Sequence, residues 1–258
     1  MIDGLLLDID GVLTVSWDAL PGSVDAVNRL RADGVPFRLI TNTTTHTRGE
    51  LAQILQAAGF EVHADKIITA VVATAQYLRT AHPAARVFVL SDGTPAADME
   101  GINLVGEPEN ADVVVLGGAC PAFAYDTIDR VFRALMAGAP LIAMHRNLYW
   151  KTGRGFELDG GAYVSGLEAA AGVTATVCGK PSPAYFNTAL EMLGLPAGGV
   201  AMVGDDLVND VIGAQAAGLT GILVRTGKFR EADLLHAQGE PDHIVARLAD
   251  VPDLIGGI

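Results

Sequence analysis

The chain has 258 residues, and 50% of them are hydrophobic, enough for one large core or two modest ones. Its formal net charge of −13 argues against nucleic acid or an anionic membrane as the main partner. An anionic substrate stays open, because a metal ion and a few local cations reverse the field inside a pocket.

In chain order, GLLLDID near the N-terminus predicts a strand. SVDAVNRLR, from Ser23 to Arg31, places Val24, Val27 and Leu30 at helical spacing. PFRLITN predicts a second strand, and THTRGELAQILQAAG a helix capped by Thr and closed by Gly. This β-α-β-α order implies a parallel sheet with right-handed crossovers. From about Thr80 to Gly172 the pattern changes: RVFVLSD, INLVGEP, ADVVVLGG, a helix from about Tyr125 to Ala137, then PLIAMHR. That stretch is expected to be an α/β module inserted into the first fold. The core is then residues 1–79 and 173–258, with the insert at 80–172. After it ATVCGK is strand-like, SPAYFNTALEMLG helical, VAMVGD a strand, DVIGAQAAG a helix and TGILVRT a strand. DHIVARLADVPDLI closes the chain.

Nothing in this pattern is long and apolar enough to span a bilayer, and the N-terminus lacks the basic region of a signal peptide. Cys120 and Cys178 show no metal-ligand spacing and suit a reduced compartment. A cytoplasmic protein with no membrane or nucleic-acid partner is expected.

Ligands of parallel α/β sheets gather beyond the carboxyl ends of the strands. Asp8 and Asp10 follow the first strand, Thr41 and Asn42 the second, Lys180 the ATVCGK segment, and Asp205 and Asp206 the VAMVG segment. Asp8 and Asp10, as alternate residues, lie on one side of the extended chain, and Gly11 lets the backbone turn away. Acids crowded at one edge call for a cation, and oxygen ligands suit Mg²⁺. Thr41 and Asn42 are expected near a helix N-terminus, where free amides suit a phosphoryl group, and Lys180 adds positive charge. Phosphoryl transfer needs this kind of positioning and neutralisation. D-x-D-G alone also occurs in calcium loops; the convergence of four strand ends carries the reading.

These residues resemble a known family. D-I-D-G at Asp8–Gly11, T-N at Thr41–Asn42, G-K-P at Gly179–Pro181, and G-D-D with Asp210 beyond it resemble, in order, the four motifs of haloacid-dehalogenase (HAD) superfamily phosphatases. Only a helix fits between the first two motifs, whereas 138 residues separate Thr41 from Lys180, which resembles the class II cap of the NagD-like group. GKPSPAYF, GDDLVNDVIGAQAAG and VRTGKF are most similar to its branch of phospholysine, phosphohistidine and pyrophosphate phosphatases.

The resemblance implies a Rossmann-like α/β core with a parallel sheet and an inserted α/β cap. It makes Asp8 the nucleophile that becomes an aspartyl-phosphate and Asp10 the acid and base. Asp8, the main-chain carbonyl of Asp10, and Asp205 would hold Mg²⁺. Asp8, Ile9, Asp10, Thr41, Asn42 and Lys180 would contact the substrate, with Asp206 and Asp210 in support. The substrate would be a small phosphorylated metabolite or pyrophosphate, and the protein would dimerise through the cap.

Two other readings stay open. Phosphoryl transfer to an acceptor other than water, as in a mutase, fits poorly with the absence of a cap between the first two motifs. A non-catalytic phosphometabolite-binding protein need not keep Asp10. In the insert, HRNLYWKTGRG joins bases, aromatics and glycines: Tyr149 or Trp150 could stack on a substrate, and His145, Arg146 or Lys151 could meet an anion. Thr43 to Thr45 are expected to cap and pack rather than bind ligand.

Overall fold

The computed structural model describes residues 2–152, 155–236 and 239–257. The chain forms two compact units. One comprises Met1–Thr41, Arg48–Ile68 and Lys180–Ile258; the other Asn42–Thr47 and Thr69–Gly179. In order, β1 (Gly4–Asp8) leads to a small hairpin, β2 (Thr14–Val15) and β3 (Asp18–Ala19). Then come α1 (Ser23–Ala32), β4 (Phe37–Thr41), α2 (Arg48–Ala57), β5 (Ile67–Thr69) and α3 (Ala70–Ala81). The second unit continues with β6 (Arg86–Leu90), β7 (Asn103–Val105), β8 (Val113–Leu116), α4 (Tyr125–Met136) and β9 (Leu141–Ala143). It ends with β10 (Tyr149–Thr152), β11 (Gly155–Leu158), α5 (Gly160–Ala171) and β12 (Thr176–Val177). The first unit resumes with α6 (Pro183–Leu193) and β13 (Val200–Gly204). A π-helical turn, Leu207–Ile212, then runs into α7 (Gly213–Ala216), succeeded by β14 (Thr220–Val224), α8 (Glu231–His236), β15 (His243–Val245) and α9 (Val251–Gly256).

The first unit is built on a six-stranded sheet in the order β15-β14-β13-β1-β4-β5. β1 runs parallel to both neighbours, with Leu6 opposite Met202 on one side and Arg38 on the other. The chain adds β4 and β5 on one side of β1 and β13, β14 and β15 on the other. Strand order therefore reverses at β1, the place where such sheets bind ligands. All five residues of β1 are buried, as a central parallel strand covered on both faces requires. Leu5 and Leu7 join a core with Val27 and Leu30 of α1, Leu51 and Leu55 of α2, and Val203 and Ile222 of the neighbouring strands. Each fully buried leucine contributes about 1.5–3 kcal/mol, so β1 is a stiff mount for the residue at its end, Asp8.

The second unit has its own parallel sheet, ordered β12-β9-β8-β6-β7. α3 lays Ala70, Val71, Ala75 and Leu78 against Val87, Val113, Val115 and Ile142 on one face. α4 and α5 bring Val131, Leu135, Val164 and Leu167 to Phe88, Leu90, Val114 and Leu116 on the other. One difference from the sequence reading matters for the site. ATVCGK does not supply a strand to the first sheet. Thr176 and Val177 pair with Ile142 and Ala143 of β9, at the edge of the second sheet. A two-residue strand with so short an apolar run carries no local signal for which sheet it joins.

Leu7→Ala should leave a cavity directly beneath Asp8 and cost about 2–5 kcal/mol. Urea unfolding of the purified variant measures this, and a loss below about 1 kcal/mol would show that β1 is not the rigid centre described here.

Candidate active site

Three segments of the first unit bring charged groups together. Asp8 ends β1, Asp205 directly follows β13, and Lys180 precedes α6. The start of α6 explains the placement of Lys180. Ser182 caps the helix by accepting from the Ala184 amide, and Pro183 occupies the first helical position. α6 then buries Tyr185, Phe186, Ala189 and Leu190, which holds the preceding lysine in place.

Lys180 is 5% exposed and its Nζ lies 2.6 Å from Asp8 Oδ1 and 2.7 Å from Asp210 Oδ1. Asp210 is presented by the π-helical turn, and its other oxygen accepts from the Asp206 amide at 3.1 Å. Asp205 Oδ2 accepts from the Lys228 amide at 2.6 Å, while its Oδ1 is buried and, among the described residues, has no hydrogen-bond partner. Asp8, Asp205 and Asp210 each bring one carboxylate oxygen within 4.8 Å of the others. A buried, partnerless carboxylate oxygen beside two further buried acids fits a hard divalent cation such as Mg²⁺. Gly11 has φ +90°, and a Cβ there would meet Asp205 Oδ2 at 1.9 Å, so both the turn and the close approach require glycine.

The electrostatics follow from burial. Burial pulls the Lys180 amine down, but Asp210 and Asp8 outweigh it and hold the group above the usual lysine range. Burial, then the neighbouring Asp8 and Asp210 carboxylates, push Asp205 up to about 8. Burial also raises Asp210, to about 6, against the pull of Lys180. The cluster holds more negative charge than one ammonium balances.

Asp10 lies one residue beyond Ile9 and is exposed. The Ile9 side chain belongs to the core, and its carbonyl accepts from the Leu13 and Thr14 amides. Asp206 caps the π-helical turn through the Val208 and Asn209 amides. Thr41 ends β4 and is buried. Thr41 and Asn42 do not sit at a helix N-terminus as expected, because α2 begins only at Arg48. The intervening threonines have other partners: Thr44 Oγ1 donates to Asp92 Oδ1 at 2.5 Å and Thr45 Oγ1 to Asp92 Oδ2 at 3.1 Å, within the second unit.

In that unit His145 is 3% exposed, and burial pushes its pKa down despite Asp159, 3.9 Å away, and Asp92. Arg146 pairs with Glu168, and Tyr149 is exposed. Gly153 and Arg154 lie outside the described residues, as do the side chains of Trp150 and Lys151.

Two features escaped the sequence reading. Tyr185 accepts from the Thr41 amide at 3.0 Å and its hydroxyl donates to the Ile68 carbonyl at 2.8 Å, which fixes the end of β4. The buried aromatic pair within GKPSPAYF was its one local signal. The turn Thr226–Lys228 packs on the acid cluster, and the TGK sequence gives no local sign of this.

A mounted carboxylate paired with a buried lysine, beside further acids at a sheet's switch point, is a site for handling phosphoryl groups, and comparison with known proteins gives its class. Residues 5–105 match the model of the haloacid dehalogenase-like hydrolase family, and residues 177–251 that of the HAD-hydrolase-like family. Phospholysine phosphohistidine inorganic pyrophosphate phosphatase of Rattus norvegicus is 36% identical over 260 residues, covering 98% of this chain and 94% of that protein. NagD from E. coli K-12 superposes with a TM-score of 0.87 at 28% identity, covering 97% and 98% of the two chains. Glycerol phosphate phosphatase from Mycobacterium tuberculosis, solved in complex with magnesium, gives 0.86 at 28% identity, covering 96% of this chain and 75% of that one. The chain belongs to the haloacid dehalogenase-like hydrolases. Within them it is a phosphatase of the NagD-like subfamily IIA, with the α/β fold of that group.

The raised pKa of Asp205 has a consequence for stability. Between its ordinary value of 3.8 and about 8, the folded metal-free chain keeps a proton that the unfolded chain has released, so stability falls as pH rises. Asp210 adds the same sign between 3.8 and about 6. In EDTA, the urea midpoint should therefore decline from about pH 5 to about pH 8, and Asp205→Asn should flatten the decline. A wild-type midpoint that rises over this range contradicts the assignment.

Proposed function

We propose that this phosphatase hydrolyses small phosphorylated substrates with Mg²⁺ through an aspartyl-phosphate, an acyl phosphate formed on Asp8. The observation that carries this is the Lys180 ammonium held between Asp8 and Asp210, beside the partnerless Oδ1 of Asp205. Asp8, Asp205 and the main-chain carbonyl of Asp10 would hold the metal, which supplies positive charge to the phosphoryl oxygens when bound.

The chain's own groups supply the rest. Asp8 attacks phosphorus, and the leaving oxygen departs with its electron pair and takes a proton from Asp10. Asp10, now a base, removes a proton from water, which attacks the phosphorus and releases orthophosphate and free Asp8. Lys180 pairs with Asp8 in a buried site and offsets charge on the phosphoryl group. The Thr41 hydroxyl and the Ile9 and Asn42 amides are assigned to phosphoryl oxygens. Asp206 and Asp210 are assigned to support, by capping the π-helical turn and by holding Lys180. The second unit, 69–179 together with 42–47, is assigned as the cap that excludes water and reads the leaving group. Pyrophosphate, which the rat relative's name includes, is a candidate substrate for this chain.

Purified protein should release 4-nitrophenol from 4-nitrophenyl phosphate with Mg²⁺ and not in EDTA. Asp8→Asn should abolish turnover, and Asp10→Asn should lower kcat by about 10²–10⁴-fold. Turnover that persists in both EDTA and Asp8→Asn removes this mechanism.

A further inference from the structure

The turn from Thr226 to Lys228 lies against the acid cluster within the first unit. The Thr226 hydroxyl donates to the Gly11 carbonyl. Gly227 has φ +59°, and a Cβ there would meet Asp205 Oδ2 at 2.0 Å and the Gly11 Cα at 2.5 Å. The Lys228 amide donates to Asp205 Oδ2 at 2.6 Å. Three contacts thus fix the Lys228 backbone beside Asp205. Its side chain is exposed, and among the described residues its ammonium has no ion-pair partner, whereas neighbouring Arg225 pairs with Glu231 at 3.1 Å.

The charge balance of the site gives this lysine a task. Lys180 is committed to Asp8 and Asp210. Asp205 and Asp206 add negative charge beyond what Lys180 and one divalent cation offset. A leaving group that is itself anionic would enter an unfavourable field unless another cation met it. A leaving group with no charge beyond the developing alkoxide gains little from such a cation.

We propose that Lys228 is a specificity-determining residue that pairs with negative charge carried by the leaving group, so that the site favours diphosphates over phosphate esters of uncharged alcohols. This rests on the phosphatase reading above. With inorganic diphosphate, Asp8 forms a bond to one phosphorus and the bridging P–O bond breaks. The bridging oxygen leaves on orthophosphate with the electron pair and takes the Asp10 proton, and Lys228 offsets the charge on that departing group. Water then hydrolyses the acyl phosphate on Asp8 and releases the second orthophosphate.

Substitution of the side chain leaves the backbone amide that holds Asp205 in place, so the two roles separate. Wild type, Lys228→Gln and Lys228→Arg are compared by kcat/KM on inorganic diphosphate and on 4-nitrophenyl phosphate with Mg²⁺. In Lys228→Gln the ratio of diphosphate to aryl phosphate should fall about tenfold or more, chiefly through KM, as expected for a lost hydrogen bond between charged groups. Lys228→Arg should recover most of the ratio, and added salt should shrink the wild-type preference. An unchanged ratio in Lys228→Gln overturns the proposal, as do equal losses on both substrates. Wild type that cleaves the aryl phosphate but not diphosphate also overturns it, while the phosphatase reading stands. Failure on both substrates with Mg²⁺ removes that reading as well.

Discussion

The site depends first on one buried ammonium. Lys180 sits between Asp8 and Asp210, all three nearly shielded from water. Two carboxylates this deep cannot both stay ionised without a cation, and an ammonium this deep cannot stay charged without acids. Removing the lysine would strand both carboxylates, at a cost of about 3–5 kcal/mol. The arrangement holds the end of β1 to the start of α6 and keeps Asp8 paired with a buried cation. α6 also carries Tyr185, whose hydroxyl ties down the end of β4. One helix thus positions the lysine and the strand end bearing Thr41.

Asp205 is held differently. Backbone rather than side chains surrounds its Oδ2: the Lys228 amide donates to it, and Gly11 and Gly227 approach so closely that neither position has room for a Cβ. With one oxygen pinned, the other is left without a hydrogen-bond partner among the described residues. That asymmetry suits a group meant to give one oxygen to a cation while keeping its orientation when the cation leaves. It also accounts for the high pKa, since a single amide bond offsets only part of the cost of burying the charge next to Asp8.

Much of this was legible in the sequence because local pattern and topology coincide there. The leucines before Asp8 and the apolar VAMVG before Asp205 mark central strands, and parallel strands deliver the residues at their carboxyl ends to a common edge. The parts that were not legible depend on contacts between distant segments. ATVCGK could have paired in either sheet. The threonines after Asn42 read as helix caps, yet Asp92, more than forty residues on, takes Thr44 and Thr45 and the helix starts later. Tyr185 reads as core, yet its hydroxyl accepts from the Thr41 amide; TGK at 226–228 reads as a turn, yet the Lys228 amide donates to Asp205.

This division of labour bears on how one set of acids serves different substrates. Asp8 and Lys180 are buried and paired through their side chains, so a substitution at either disturbs the fold as well as the site. At position 228 the structural duty belongs to the main chain, which every residue except proline can perform. The side chain is released from that duty and stands exposed at the cluster's rim. Positions of this kind can change what a site accepts without altering the machinery it is built on, since specificity resides in groups added to a fold rather than in the fold. A lysine there, on a chain whose net charge is −13, supplies local positive charge where an anionic leaving group would meet it.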